Sequence, residues 1–254
     1  FWPIVGNIVG DIMRLDHATW GEVEEYLTRR RAVLLPVGST EQHGPMGLIG
    51  TDAICAEAIA VGAGGLSDTY VAPVLAYTPA PFNMKFAGTV SISEACFQTL
   101  FTEVTQSLRA HGFDRIYVVN GHGANLAPMR QIAQKMTEIR IRSWWDFDPV
   151  NILRTQYYGA WEGMHATPSE VAITQALVRC IDPAQAATPP RALSPDESAA
   201  RAGDRHGSAS RHKAEFPDGR VGSHSALARP EHGRSILQAA IEAVAADVTA
   251  FEAG

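Results

Sequence analysis

The sequence predicts an α/β fold with a mainly parallel central sheet. Three observations lead there: short apolar runs alternate with longer helical stretches, the two strongest runs are apolar on consecutive residues, and each of those two leads into a polar, glycine-rich segment. Strands separated by helices build βαβ units, and a continuously apolar strand is one covered on both faces. In such sheets ligands bind beyond the C-terminal ends of the strands. Both glycine-rich segments should therefore open into one crevice.

In chain order, residues 20–30 read as a helix that starts after Thr19, an acceptable N-cap. Residues 32–37 (AVLLPV) form a buried strand, followed by Gly38 to Gly44 (GSTEQHG) and a helix over 53–61. Residues 70–75 carry a less regular strand pattern, and a helix over 93–110 begins after Ser91 or Ser93. The second buried strand, 115–119 (RIYVV), runs into Asn120 to Asn125 (NGHGAN) and a helix over 125–137. A further strand over 139–144 and helices over 168–180 and 233–251 complete the pattern. Residues 188–230, rich in Pro, Gly, Ser, Arg and His, show no period and read as a long irregular excursion that covers the site or contacts a second subunit. There is no internal repeat, so residues 1–254 are expected to form a single domain.

Net charge is −6 and no Lys/Arg run occurs, which argues against nucleic acid as a partner. No stretch is long and apolar enough to span a bilayer, and the apolar segment 1–13 contains Asp11 without a basic leader or cleavage site. Cys55, Cys96 and Cys180 lie far apart, which offers neither a disulfide framework nor a CxxC knuckle. A reducing cytoplasm is the expected setting, with all three thiols buried in helical patterns.

The chemistry-bearing residues cluster at predicted strand and helix ends. Glu41, His43 and Asp52 combine two carboxylates and an imidazole just beyond the first strand. Such hard oxygen and imidazole donors suit Zn²⁺, Mn²⁺ or Fe²⁺, whereas Ca²⁺ would want more oxygens. In an extended loop Glu41 and His43 share a face. The alternative for Asp52 is simply to cap the next helix. His122 lies between two glycines, as a metal ligand or as a turn histidine bonded to backbone, and Asn120 and Asn125 are expected to shape that turn. His165 and Glu170 fall in MHATPSE, where Glu170 is either a ligand or the partner of Thr167 in a capping box. His206, His212, His224 and His232 match no metal spacing and are expected at the surface or an interface, with His206 or His224 as candidates to border the pocket.

Together LPVGSTEQHGPMGLIGTD (Leu35 to Asp52), FAGTVSI (Phe86 to Ile92), NGHGAN and HATPSE, in this order, resemble the creatininase (creatinine amidohydrolase) family. GRVGSHSALARPEHG (Gly219 to Gly233) adds an echo of that family's segment before its last helix. The resemblance implies a three-layer α/β/α fold, a homohexamer and two divalent metal ions per subunit, Zn and/or Mn with Fe an option. It also implies the ligands Glu41, His43, Asp52, His122 and Glu170. Glu41 and His122 would hold one ion, His43 and Glu170 the other, with Asp52 bridging and His165 as the acid/base residue. The chain departs from the family pattern at Met46, usually histidine, at Ala124, at Ala87 in place of a proline, and across Thr78 to Asn83. That last loop faces substrate in relatives, so creatinine itself is not the expected substrate; Phe82, Asn83 and Trp161 are the candidate substrate contacts.

The expected reaction is hydrolysis of a small cyclic amide or formamide-type C–N bond by a hydroxide held between the two cations. One alternative is opening of a non-amide ring such as a cyclic sugar or inositol ketone, and another is a non-catalytic metal-binding assembly protein. The joint presence of Glu41, His43, Asp52, His122, Glu170 and His165 argues against the last.

Overall fold

The structure is a computed structural model that describes residues 13–203 and 205–254. The apolar segment before Met13 therefore lies outside the described residues. Four parallel strands, β1 (Ala32–Val37), β2 (Tyr70–Val71), β3 (Arg115–Asn120) and β4 (Ile139–Ser143), form one sheet in the order β2-β1-β3-β4. Around it pack α1 (Trp20–Leu27), α2 (Thr51–Ser67), α3 (Glu94–Ala110), α4 (Leu126–Ala133), α5 (Asp148–Tyr158), α6 (Pro168–Leu177), α7 (Pro195–Arg201), α8 (Ala209–Glu215) and α9 (Pro230–Ala253). Among the described residues no helix is long and apolar enough to cross a membrane.

The strand period of two sorts the β1 and β3 side chains onto two cores. Ala32, Leu34, Tyr117 and Val119 face Ile59 of α2, Val150 of α5, Ile173 of α6, and Val244 and Val248 of α9. Val33, Leu35, Val37, Ile116 and Val118 face Tyr26 of α1, Phe97 and Phe101 of α3, and Met129 of α4. Both faces of the sheet are thus covered, which is the predicted three-layer arrangement and the reason AVLLPV lacks alternation. Pro36 fits this central strand because its carbonyl and its missing N–H face the β2 side. Pairing with β2 has already ended there at Val71, and the Pro36 carbonyl accepts Leu75 N at 3.0 Å.

Several expectations need correcting. The strand expected over 70–75 ends at Val71, with Pro73 interrupting it and Leu75 touching Val37 only through an isolated bridge. Helix α5 was not expected, because its buried face is only Val150 and Tyr158. The excursion 188–230 is less irregular than its composition suggests: it contains α7 and α8, capped by Ser194 and Ser208. Its docking is fixed by Arg220, which is 3% exposed and donates to the Ala186 carbonyl (3.1 Å) and the Thr188 carbonyl (2.8 Å). Of the three thiols only Cys55 is buried; Cys96 lies on the solvent side of α3 and Cys180 lies beyond the end of α6.

One contact ties the end of α9 to the start of the sheet. Glu252 Oε1 accepts the backbone N–H groups of Arg31 (3.0 Å) and Ala32 (3.2 Å), while Oε2 pairs with Arg30. Partial burial pushes this carboxyl up, but the Arg30 guanidinium and the two N–H groups outweigh it and hold it below the ordinary carboxylate range. Because the folded-state value lies below the unfolded one, the stabilisation is present above the unfolded pKa and is lost as pH falls through the folded one. Glu252→Gln should lower the unfolding free energy by about 1–2 kcal/mol at neutral pH. Urea titrations should show the gap to wild type closing between about pH 5 and pH 3; a gap that does not change with pH would refute the assignment.

Candidate metal centre

The sheet order places a topological switch point between β1 and β3. From β1 the chain passes through α2 to β2 on one side, then returns through α3 to β3 on the other. Val37 and Asn120 are register partners, so the two glycine-rich loops leave the sheet side by side. The first turn of α2 sits directly against both exits. A Cβ on Gly38 would lie 2.3 Å from Ala53 N, and one on Gly121 would lie 2.5 Å from the Asp52 carbonyl oxygen. Only glycine permits that approach, and it brings Asp52 between the two loops. At the N-terminal end of α2 the helix dipole also favours a carboxylate.

Five of the predicted site residues converge there. His43 Nε2 lies 2.9 Å from Asp52 Oδ1 and 3.8 Å from Glu170 Oε1. His122 Nδ1 lies 3.1 Å from Glu41 Oε1 and 3.3 Å from Asp52 Oδ2. Asp52 therefore offers one oxygen to each half of the cluster. The sets Glu41–Asp52–His122 and His43–Asp52–Glu170 each place their ligand atoms within 4.8 Å of one another, and so does a third set, Glu41–His43–His165. All six residues are buried, none more than 7% exposed.

Backbone carbonyls orient both imidazoles. His43 Nδ1 donates to the Glu41 carbonyl at 3.1 Å and His122 Nε2 to the Pro79 carbonyl at 2.9 Å. Each neutral ring thereby turns a bare nitrogen toward carboxylate oxygens, the orientation that metal-ligating histidines take from their outer partners. Glu41 Oε1 and Asp52 Oδ2 are buried and accept no hydrogen bond from the described residues. Lone pairs facing lone pairs at 3 Å repel unless a proton or a cation lies between them. The donor set, two imidazoles and three carboxylates, fits divalent Zn or Mn.

Without a cation, protons must fill the role. Burial alone would lower His43, but the charges of Asp52, Glu170 and Glu41 outweigh it and raise its pKa to about 10. Burial pushes Asp52 up, and His43 and His122 outweigh it and pull the carboxyl down. Glu170 is shifted up, by burial first, against the pull of His43.

Glu170 also closes the capping box expected of it. Its Oε1 accepts Thr167 N at 2.5 Å while Thr167 Oγ1 accepts Glu170 N at 3.3 Å. The two readings of Glu170 are thus compatible. Just before it, Ala166 adopts φ +56°, a left-handed conformation that costs a non-glycine residue about 1 kcal/mol. That bend lets His165 face the cluster while Thr167 starts α6. The excursion grips the same segment: Met164 N donates to the Val221 carbonyl (2.9 Å) and Val221 N to the His165 carbonyl (3.2 Å). His165 Nε2 lies 2.8 Å from the Gln42 carbonyl oxygen and 2.9 Å from Gln42 Nε2; in the tautomer that donates Nε2–H to that carbonyl, the unprotonated Nδ1 lies on the side of Glu41 Oε1, 3.6 Å away.

The expected substrate contacts are placed differently. Asn83 is fully buried and donates to Glu41 Oε2 at 2.7 Å, so it positions that carboxylate. Phe82 lies behind the cluster against the rings of His206 (4.6 Å) and His212 (5.2 Å). Trp161 packs on His224 at 5.5 Å. None of the three lines the cavity of about 260 Å³ that opens onto Glu41, Asp52, His122, His165 and Glu170. His206 and His212, expected at the surface or an interface with His206 a candidate to border the pocket, are 2% and 0% exposed and pack on Phe82. Asn120 and Asn125 do shape the turn: Asn120 Oδ1 accepts His122 N (3.3 Å) and Asn125 Nδ2 donates to the Gly38 carbonyl (2.9 Å).

Sequence reasoning missed Gln42 and Arg154. Gln42 joins three parts of the site, with Nε2 donating to Asn83 Oδ1 (2.8 Å) and the Gly219 carbonyl (3.1 Å) and Oε1 accepting Gly44 N (2.7 Å). Its place between Glu41 and His43 was the available clue. Arg154 enters the cavity wall from α5, the helix that was not expected.

Residues 16–248 match the Creatininase family model, described as creatinine amidohydrolase. A mycofactocin precursor peptide peptidase of Mycolicibacterium smegmatis is 43% identical over 100 residues, which covers 37% of this chain and 40% of that protein. The match thus spans well under two thirds of that relative's length. Creatinine amidohydrolase of Pseudomonas putida is 26% identical over 209 residues, 71% of this chain and 80% of that protein. The solved structure "Creatininase Mn" superposes with a TM-score of 0.76 at 21% identity, covering 95% of this chain and 99% of that one.

A His43 pKa of about 10 means that the metal-free protein carries that proton at neutral pH. The ion-pair stabilisation it brings is complete below the ordinary histidine pKa and is lost as pH rises through the raised one. A cation ligated by His43 must displace the proton. Calorimetric titration of chelator-stripped protein with Mn²⁺ at about pH 8, in buffers of different ionisation enthalpy, should therefore show net proton release on binding. A slope of zero would rule out His43 as the displaced proton's carrier.

Proposed function

The chain belongs to the creatininase family, and on that premise we propose that it is a divalent-metal-dependent hydrolase that cleaves an amide C–N bond. The observation that carries this reading is Asp52, whose two carboxylate oxygens face the two separate His–Glu halves of one buried cluster. Glu41 and His122 would hold one ion, His43 and Glu170 the other, and Asp52 both, with Zn and/or Mn as the metals. Bound there, divalent cations polarise a carbonyl and bring the pKa of a coordinated water toward neutrality.

The protein's own residues supply the rest. Asn83 fixes Glu41 through Oε2, and the capping box fixes Glu170. His165, held at Nε2 by the Gln42 carbonyl, exchanges protons at Nδ1. In the hydrolysis a water oxygen forms the new C–O bond, the C–N bond breaks, and a proton passes through His165 Nδ1 to the leaving nitrogen. The products are a carboxylate and an amine.

Two substrate classes stand out within this reading. A small cyclic amide or formamide follows from the likeness to creatinine amidohydrolase over 71% of the chain. A peptide bond is favoured by the higher identity, 43%, to the mycofactocin precursor peptide peptidase, over 37% of the chain. Assembly as a homohexamer belongs to the same proposal, and sedimentation of the purified protein tests it.

Metal analysis of the purified protein should find about two ions per chain. Asp52→Ala should bring this below one and reduce hydrolysis at least about a hundredfold. His165→Gln should keep both ions while lowering kcat by about 10²–10⁴. Less than one ion in wild type, or full activity in Asp52→Ala, would overturn the two-ion reading. A panel of lactams, formamides and short peptides, offered to the metal-loaded enzyme, separates the two substrate classes.

A further inference from the structure

The cavity above the cluster has a second chemically distinct wall. Among the described residues that line it, the acids Glu41, Asp52 and Glu170 belong to the metal-ligand cluster, and Arg154 is the one Arg or Lys. A guanidinium carries five N–H donors in a planar fork. Arg154 spends one, from Nε, on Glu162 Oε1 (2.9 Å) and one, from Nη1, on Asn151 Oδ1 (2.7 Å). One Nη1–H and both Nη2–H groups remain for a ligand. The guanidinium carbon lies 5.7 Å from the ring centroid of Trp144, which also lines the cavity. Trp144 is 1% exposed, yet its Nε1 finds no acceptor among the described residues. These two side chains thus bring unspent hydrogen-bond donors to the wall, with Glu162 Oε2, next to the guanidinium, as a buried acceptor without a partner among the described residues.

Arg154 is also held in fixed relation to the cluster. Glu162 Oε1 accepts from Ser169 Oγ as well, Ser169 Oγ meets Thr167 Oγ1 at 3.1 Å, and Thr167 forms the capping box with Glu170. An unbroken hydrogen-bonded chain thus runs from the guanidinium to a residue of the cluster. Side chains locked in this way hold a recognition group at a set position relative to the reacting atoms.

We propose that Arg154 is the carboxylate-recognition residue of this cavity, so that the substrate carries a free carboxylate on the same molecule as the amide to be cleaved. A planar fork of donors matches a carboxylate in two parallel hydrogen bonds. The Trp144 indole N–H supplies a further donor on the same wall. Glu162 sets the guanidinium's plane without blocking its outer edge. The inference deepens the hydrolase reading and rests on it for the identity of the cleaved bond: the substrate is an acyl amino acid or a peptide end, and neutral lactams lack the group that Arg154 would hold.

Binding tests this separately from catalysis. The metal-loaded full chain is titrated calorimetrically with glycylphenylalanine, its C-terminal amide, and glycylglutamate diamide, whose two carboxylates are both blocked. A fourth probe, glycylglutamate α-amide, carries its carboxylate on the side chain only. Wild type should bind glycylphenylalanine at least about tenfold more tightly than its amide. Arg154→Met should erase that preference at unchanged metal content, and Arg154→Lys should keep part of it. Binding of the α-amide but not the diamide, again lost in Arg154→Met, assigns the carboxylate to a side chain and also supports the proposal. Equal binding of acid and amide, no binding of either, or a preference that survives Arg154→Met overturns it. A preference for acids in an enzyme that hydrolyses no amide leaves Arg154 in its role and removes the hydrolase reading instead.

Discussion

Three carboxylates and three imidazoles are buried together where β1 and β3 end, and water is excluded from most of their surface. Removing a carboxylate from water without a partner costs several kcal/mol, and placing several side by side adds repulsion. The surrounding structure answers that cost in three ways. Backbone carbonyls of Glu41, Pro79 and Gln42 orient the imidazoles, Asn83 donates to the outer oxygen of Glu41 and Thr167 N to Glu170 Oε1, and the first turn of α2 brings its dipole to Asp52. The glycines at 38 and 121 belong to the same answer, since only they let α2 approach both strand ends. The remaining negative charge is what a proton or a divalent cation must neutralise.

The strands of the sheet centre were readable because both faces of β1 and β3 are buried, which removes alternation and leaves runs such as AVLLPV. The cluster residues were readable for a related reason. Each sits at a strand exit or a helix start, where local rules on loops, caps and glycine apply without knowledge of distant packing. What escaped depends on docking. Helix α5 has a narrow buried face, and α7 and α8 are short seven-residue helices held by Ser caps and by contacts of the excursion. The burial of His206 and His212 follows from that docking and from Phe82, neither of which composition reveals.

The same division separates chemistry from specificity. The cluster is built from segments whose character is local, whereas the cavity opposite it is made by α5, Trp144, Trp145 and the edge of the excursion at Ala202 and Gly203. The sequence reading placed the substrate contacts at Phe82, Asn83 and Trp161. The fold puts Phe82 and Asn83 behind the cluster and turns Asn83 into a support for Glu41. The cavity wall opposite the cluster is therefore built largely by elements that share little sequence neighbourhood with the cluster residues.

Helix α9 packs against both α2, which carries Asp52, and α6, which carries Glu170, and it holds them to one face of the sheet. It is translated after every residue of the cluster. A nascent chain that has just completed α6 thus possesses all the ligand side chains but not the brace that brings two of them into register. The arrangement of carboxylates and imidazoles that suits a cation is thus complete only once α9 has docked, so the last helix to be made closes the site begun by the first loops.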